Sequence, residues 1–216
     1  MELFASILKN FAIEPLYMFS ILGISFLGAA VAFERIRYIT AASSIKKDDF
    51  LNRVNQQILA GNLERALAVC SQTNSPLTNI VKAGLLAVAN HKDVEEVQTA
   101  MDAVALREIP RIEKRTSLLA LLSNLATLVG LLGTIAGLIG AFVAVAGVSP
   151  AEKATLLSKS ISMAMNCTAF GLMVAIPLLA AYGFIQTRAQ ELVDDVHEAA
   201  VTTLNFILAN KDKFNR

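Results

Sequence analysis

Three stretches of this chain carry no Asp, Glu, Lys, Arg or His at all: residues 15–33, 116–151 and 160–187. Crossing a hydrocarbon layer about 30 Å thick takes roughly 20 helical residues, and each run can supply them. The second run, 36 residues long, overshoots at about 1.5 Å per residue, so part of it is expected to project beyond the lipid. Composition points the same way, with 55% of residues hydrophobic and only 17% charged. No alternating strand pattern, low-complexity tract or internal repeat competes with the helical reading. The expected fold class is an all-α integral membrane protein with three transmembrane helices.

The net charge of +1 says little, but the placement of the charges says more. Twelve Lys and Arg fall between positions 35 and 115, four after position 187, two at Lys153 and Lys159, and one at Lys9. By the positive-inside rule the middle segment and the tail are cytoplasmic, while the amino terminus and the short loop near Ser149 lie outside. The chain then divides into an external segment 1–14, a transmembrane helix 15–34 and a cytoplasmic helical region 35–115. A second transmembrane helix 116–148, an external loop 149–159, a third transmembrane helix 160–187 and a cytoplasmic carboxy-terminal helix 188–216 follow. Ala30-Val31-Ala32 resembles a signal-peptide cleavage site, but the region before the apolar run holds Glu2, Lys9 and Glu14 and so lacks a positive flank, while Arg35 and Arg37 follow the run. A retained helix is expected.

The middle region carries good helical punctuation. Phe50, Leu51, Val54, Ile58 and Leu59 recur at helical spacing until Gly61-Asn62, and Leu63, Ala66, Leu67 and Cys70 begin a second face. Ser75 before Pro76 reads as an N-cap with proline at the first helical position, leading the stripe Leu77, Ile80, Val81, Gly84, Leu85 and Val88. Asp93 and Glu96 have capping-box spacing. The helix they start is expected to kink at Pro110 and run on into the second span. With no flexible linker, these helices should stack on long cytoplasmic extensions of the spans. Few aromatics and no basic stripe argue against nucleic acid as a partner.

Catalytic signatures are missing: no phosphate-binding glycine loop, no nucleophile elbow, no paired-histidine metal motif, and only the isolated His91 and His197. Cys70 and Cys167 are expected as small buried side chains, with no disulfide or metal role. No enzymatic activity and no bound cofactor are expected. The spans are richer. Gly130, Gly133, Gly137 and Gly140, spaced by three and four residues, share one helical face and would let another helix approach closely. Thr127 and Thr134 lie about two turns apart beside them, with Asn124 a turn away, and the third span adds Ser160, Ser162, Asn166 and Thr168. Pro177 removes a backbone hydrogen bond, freeing a carbonyl near Met173, and is expected to kink its helix. None of the three runs contains an ionisable residue, although a proton path through a membrane ordinarily uses a carboxylate. Either the chain does not conduct, or a partner brings the acid.

"GLLGTIAGLIGAF" and, later, "TAFGLMVAIPLLAAYGF" closely resemble the paired signatures of the MotA/TolQ/ExbB proton-channel family, in its three-span ExbB/TolQ branch. The cytoplasmic "GNLERALAVCSQTNSPLTNIVKAGL" is similar to that branch too, so the resemblance covers most of the chain. It implies a homopentamer in the bacterial inner membrane, with a periplasmic amino terminus, a cytoplasmic carboxy terminus, and second and third spans lining a central pore. Inside would sit a dimeric ExbD/TolR-like single-span partner whose transmembrane aspartate supplies the missing acid. Thr134 and Thr168 correspond to the family's pore threonines, with Asn166 and Thr127 as secondary polar contributors. Met163 stands where many relatives carry a glutamate, so a relay step through that position does not transfer. The translocated ion is H+, with Na+ the alternative.

The function expected from this reading is that of a channel-forming stator subunit, which couples the proton motive force to mechanical work on the cell envelope. A non-conducting helical scaffold is the alternative. A solute transporter is disfavoured by the lack of intramembrane charge and of an inverted repeat.

Overall fold

The computed structural model describes residue 11 and residues 14–210. Residues 1–10, 12 and 13 of the expected amino-terminal segment, and 211–216 of the expected tail, lie outside the described residues. Among the described residues the helices with defined bounds are, in order, α1 (Pro15–Ala42), α2 (Lys47–Leu59), α3 (Leu63–Ser71), α4 (Pro76–Ala89), α5 (Val94–Glu113), α6 (Thr116–Val145) and α7 (Pro150–Ala209). Among the described residues there is no strand. Three helical stretches, containing α1, α6 and α7, are long and apolar enough to cross a membrane. The chain divides into two compact units: residues 1–35 with 115–184, and residues 36–114 with 185–216.

The first unit holds the three apolar helical segments. Its buried side chains include Met18 and Ile21 of α1, Leu119, Ala126 and Ala141 of α6, and Ala164, Cys167, Val174, Ala175 and Leu178 of α7. Small residues recur wherever helices meet. Gly28 of α1 lies under Leu178, and a Cβ there would stand 2.6 Å from its Cδ2. The remaining surface of α6 is apolar, with Leu121, Leu125, Leu128, Leu132, Ile135 and Ile139 all exposed. Water would penalise such a surface; lipid or another apolar helix would not.

The start of α6 differs from the expected continuous helix. The α5 helix passes through Pro110 without interruption, and the Lys114 N–H reaches the Pro110 carbonyl at 2.9 Å. The break comes at Arg115, in the left-handed region at φ 64°, where a non-glycine residue is uncommon. Its Nη1 donates to both carboxylate oxygens of Glu34, at 2.7 and 2.8 Å. Residues 149–159, expected as a loop, are helical from Pro150. The Ser149 carbonyl accepts the N–H groups of Glu152 and Lys153, its hydroxyl bonds the Glu152 carboxylate at 2.7 Å, and proline suits the first turn. The α7 helix is likewise unbroken at Pro177 and continues through the expected 187/188 boundary.

The second unit is built from large side chains. Phe50, Val54 and Ile58 of α2, Ala66 and Cys70 of α3, Ile80, Val81 and Leu85 of α4, and Val97 and Met101 of α5 are buried, with Leu192, Val196 and Ile207 of α7. Helix entry follows the sequence signals. The Ser75 hydroxyl accepts the Thr78 N–H at 3.3 Å while the Thr78 hydroxyl accepts the Ser75 N–H at 3.0 Å. Glu96 accepts the Asp93 N–H at 3.3 Å. Gly61 takes φ +71°, the turn conformation that lets α2 stop and α3 begin. The α7 extension is tied in by Lys47, whose Nζ lies 2.8 Å from Asp195 and 2.6 Å from Glu198. These two carboxylates hold the lysine proton well above the ordinary lysine range.

Candidate functional site

The α6–α7 seam of the first unit is where the candidate residues meet. Close approach comes first: a Cβ on Gly130 would stand 3.0 Å from the Cys167 carbonyl oxygen and 3.3 Å from the Gly171 Cα. One on Gly171 would be 2.6 Å from the Ala126 carbonyl oxygen, and one on Gly133 would be 2.9 Å from the Cys167 Cβ. Most of these neighbours are backbone atoms, so only glycine fits without moving a helix. Gly137 faces Ala164, with 2.8 Å left to its Cβ, whereas Gly140 meets nothing within 4 Å.

This proximity sets two hydroxyls against each other. Thr134 Oγ1 and Thr168 Oγ1 are 3.0 Å apart, one from each helix. Thr168 Oγ1 also lies 3.0 Å from the Gly130 carbonyl oxygen, and Thr134 Oγ1 2.6 Å from that of Leu131. Two hydroxyl hydrogens face two carbonyls and each other. When both point at carbonyls, the hydroxyl oxygens keep lone pairs for an incoming donor; when one swings away, it can donate in turn. A pair that accepts and donates without carrying charge can solvate an acid in either protonation state.

The other candidates distribute differently. The Thr127 hydroxyl bonds the Ser123 carbonyl of its own helix at 3.2 Å, and so is spent on local backbone. Asn166 is 9% exposed and lines an open groove of about 340 Å³ on α7, with Ser162 and Met165 among its neighbours. Met163 is partly buried, next to Ala164. Among the described residues, no group of three or more His, Cys, Asp or Glu side chains comes together as a metal site.

Three participants escaped the sequence reading. Ser123 donates to the Ala175 carbonyl of α7 at 2.8 Å, a buried bond between the two helices. Its signal was available: Ser123, Ala126, Gly130, Gly133 and Gly137 form one stripe of small residues. Gly171 is the counterpart of Gly130 and lies in a similar stripe of small residues, Ala164, Thr168, Gly171 and Ala175. The third is Glu14. The run boundary places it in the amino-terminal segment, yet its Oε2 accepts from Cys167 Sγ at 3.2 Å. Cys167 itself is fully buried against Met18.

The family model described as the MotA/TolQ/ExbB proton channel family matches residues 72–198, more than half of the chain, including the whole α6–α7 seam. A biopolymer transport protein ExbB homolog of Methanothermobacter thermautotrophicus is 26% identical over 193 residues, 89% of this chain and 67% of that protein. With three apolar helical stretches in place, the chain is a multi-pass membrane protein and belongs to the MotA/TolQ/ExbB proton channel family.

Proposed function

We propose that this chain is the channel-forming subunit of an ion-driven stator. It couples a proton gradient, or alternatively a sodium gradient, across the bacterial inner membrane to mechanical work on the envelope. Five copies surround a central pore lined by α6 and α7, with the amino terminus periplasmic. A dimeric ExbD/TolR-like single-span partner inside the pore brings an aspartate. The observation that carries this reading is the Thr134–Thr168 pair at 3.0 Å, uncharged and amphoteric, in a seam of small residues between two spans. As the partner's acid gains and loses its proton, the pair offers it lone pairs and then a hydroxyl hydrogen, so neither state is left unsolvated in an apolar setting.

The apolar stripe of α6 supports the assembly, because a single chain leaves Leu121, Leu128 and Ile135 uncovered and a neighbouring copy could cover them. The energy scale is set by the gradient: one charge crossing about 100 mV yields about 2.3 kcal/mol, so a useful stroke needs several charges. The test is proton flux in native membrane vesicles, which retain whatever the chain assembles with. Thr168→Val is expected to lower the flux at least about tenfold, the scale on which a positioned proton-transfer partner acts, with the oligomer intact. Wild-type flux in that variant would remove the hydroxyl from the mechanism. A scaffold without conduction would instead give no flux from the wild type and function that survives an uncoupler.

A further inference from the structure

Glu14 opens α1, its carbonyl accepting the Met18 N–H at 3.3 Å, but its side chain belongs to the α6–α7 seam. Oε2 receives the Cys167 thiol at 3.2 Å, and Oε1 lies 2.7 Å from the point where a Cβ of Gly137 would stand. The absent side chain of Gly137 is what makes room for the carboxylate, while the Ala164 Cβ lies 2.8 Å from that same point. Gly137 is three residues after Thr134 and Ala164 four before Thr168. The carboxylate is therefore about one helical turn, roughly 5 Å, from the hydroxyl pair.

The surroundings are apolar: Met18 and Cys167 are fully buried, and Phe11, Phe170 and Met173 pack against them. A thiol is a weak donor for an anion. Glu34, in the same unit, has Arg115 as a partner, whereas Glu14 forms no ion pair among the described residues. Glu14 is half-buried at the entry to α1, just outside the first apolar run, and a carboxylate turned onto the helices of the spans is a candidate for an ion pathway. The titratable groups in contact at this spot are Cys167 from α7 and, on α1 itself, Tyr17, whose Cβ is 3.4 Å from the Cβ position of Gly133; Lys159 lies further along α7, five residues before Ala164. The α6 face brings none.

We propose that Glu14 is a proton-binding residue of the ion path. It takes up a proton as its carboxylate becomes the carboxylic acid, and releases it toward the Thr134–Thr168 pair a turn away. The chain then contributes an acid of its own, in series with that of the partner. This rests on the stator reading, and two measurements separate them. The first is infrared titration of the purified full-length chain in liposomes, for wild type and Glu14→Gln. A protonated-carboxyl band that appears as pH falls and is missing from Glu14→Gln is expected; identical spectra at every pH would overturn the proposal. The second is flux in native vesicles, with Glu14→Gln expected to lose at least about tenfold while Glu14→Asp keeps part of it. Full flux in Glu14→Gln beside a deficient Thr168→Val would overturn the Glu14 proposal and leave the stator reading standing. No gradient-driven flux from wild type would overturn the stator reading and the pathway role with it.

Discussion

The two units of this protein solve the same packing problem with opposite materials. The first joins its helices by removing side chains, so that Gly130 and Gly171 lie against backbone and Gly133 against the Cys167 side chain. The second joins its helices by interdigitating Phe50, Ile58, Ile80, Leu85 and Met101. The reason lies in the surroundings. In lipid there is no hydrophobic gain from bringing two apolar surfaces together, so association depends on close contact and interhelical hydrogen bonds such as Ser123 to Ala175. In water the burial of large side chains is itself the driving force. Close backbone approach also sets Thr134 against Thr168, so in the first unit the packing device and the geometry of the proposed site are one.

The contrast can be broken by adding atoms to one unit and deleting them from the other. Gly133→Leu forces a branched side chain into a space with 2.9 Å left for even a Cβ, and is expected to abolish the assembled state. Native mass measurement checks it, and an unchanged oligomer would mean that the seam can open. In the second unit the damaging change is deletion. Ile80→Ala empties a fully buried site and should cost about 2–5 kcal/mol, read by denaturant unfolding.

Alanine at two glycines sharpens the comparison further. A Cβ at Gly171 meets the Ala126 carbonyl oxygen at 2.6 Å, and one at Gly84 meets the Met101 sulfur at the same distance. Backbone cannot step aside, whereas a methionine tip can. Gly171→Ala is expected to destabilise by about 1–3 kcal/mol and Gly84→Ala by less than about 1 kcal/mol, compared by thermal midpoints in detergent. Equal shifts would erase the distinction.

The smallest effect belongs to Lys47. Its partners Asp195 and Glu198 are well exposed, so Lys47→Met should cost no more than about 1 kcal/mol. Because the folded lysine holds its proton above the ordinary value of 10.5, the contribution is complete below that pH and fades as pH rises through the higher folded value. Unfolding midpoints of wild type and variant should therefore converge only in strong alkali. In the same unit, burial pushes the Cys70 thiol up to about 11, which predicts slow alkylation at neutral pH until the unit unfolds.

What could be read in advance followed from local rules. The uncharged runs announced the spans, Ser75-Pro76 the start of α4, and Gly61 the end of α2, because each depends on a few adjacent residues. The glycine stripe of α6 showed its face but not its counterpart: α7 carries small residues at helical spacing too, Ala164, Thr168, Gly171 and Ala175, yet which of them meets Gly130 is decided only once two helices are side by side. The inward contact of Glu14 was missed for a related reason. A charge at the end of an apolar run reads as a flank, and nothing in the order of residues shows that its side chain turns inward over Gly137. The helix break fell at Arg115 and not at Pro110 because the proline is tolerated within α5, whereas the left-handed turn accompanies the contact with Glu34, eighty-one positions away. Thr134 and Thr168 came from resemblance, and their pairing at 3.0 Å is a tertiary fact.

The account stands on these two hydroxyls acting as one unit, and a double-mutant cycle on vesicle proton flux tests that most directly. Thr134→Val, Thr168→Val and the double variant should all lose flux to nearly the same extent, because removing either partner already disables the pair. Losses that multiply independently, or wild-type flux in either single variant, would contradict it.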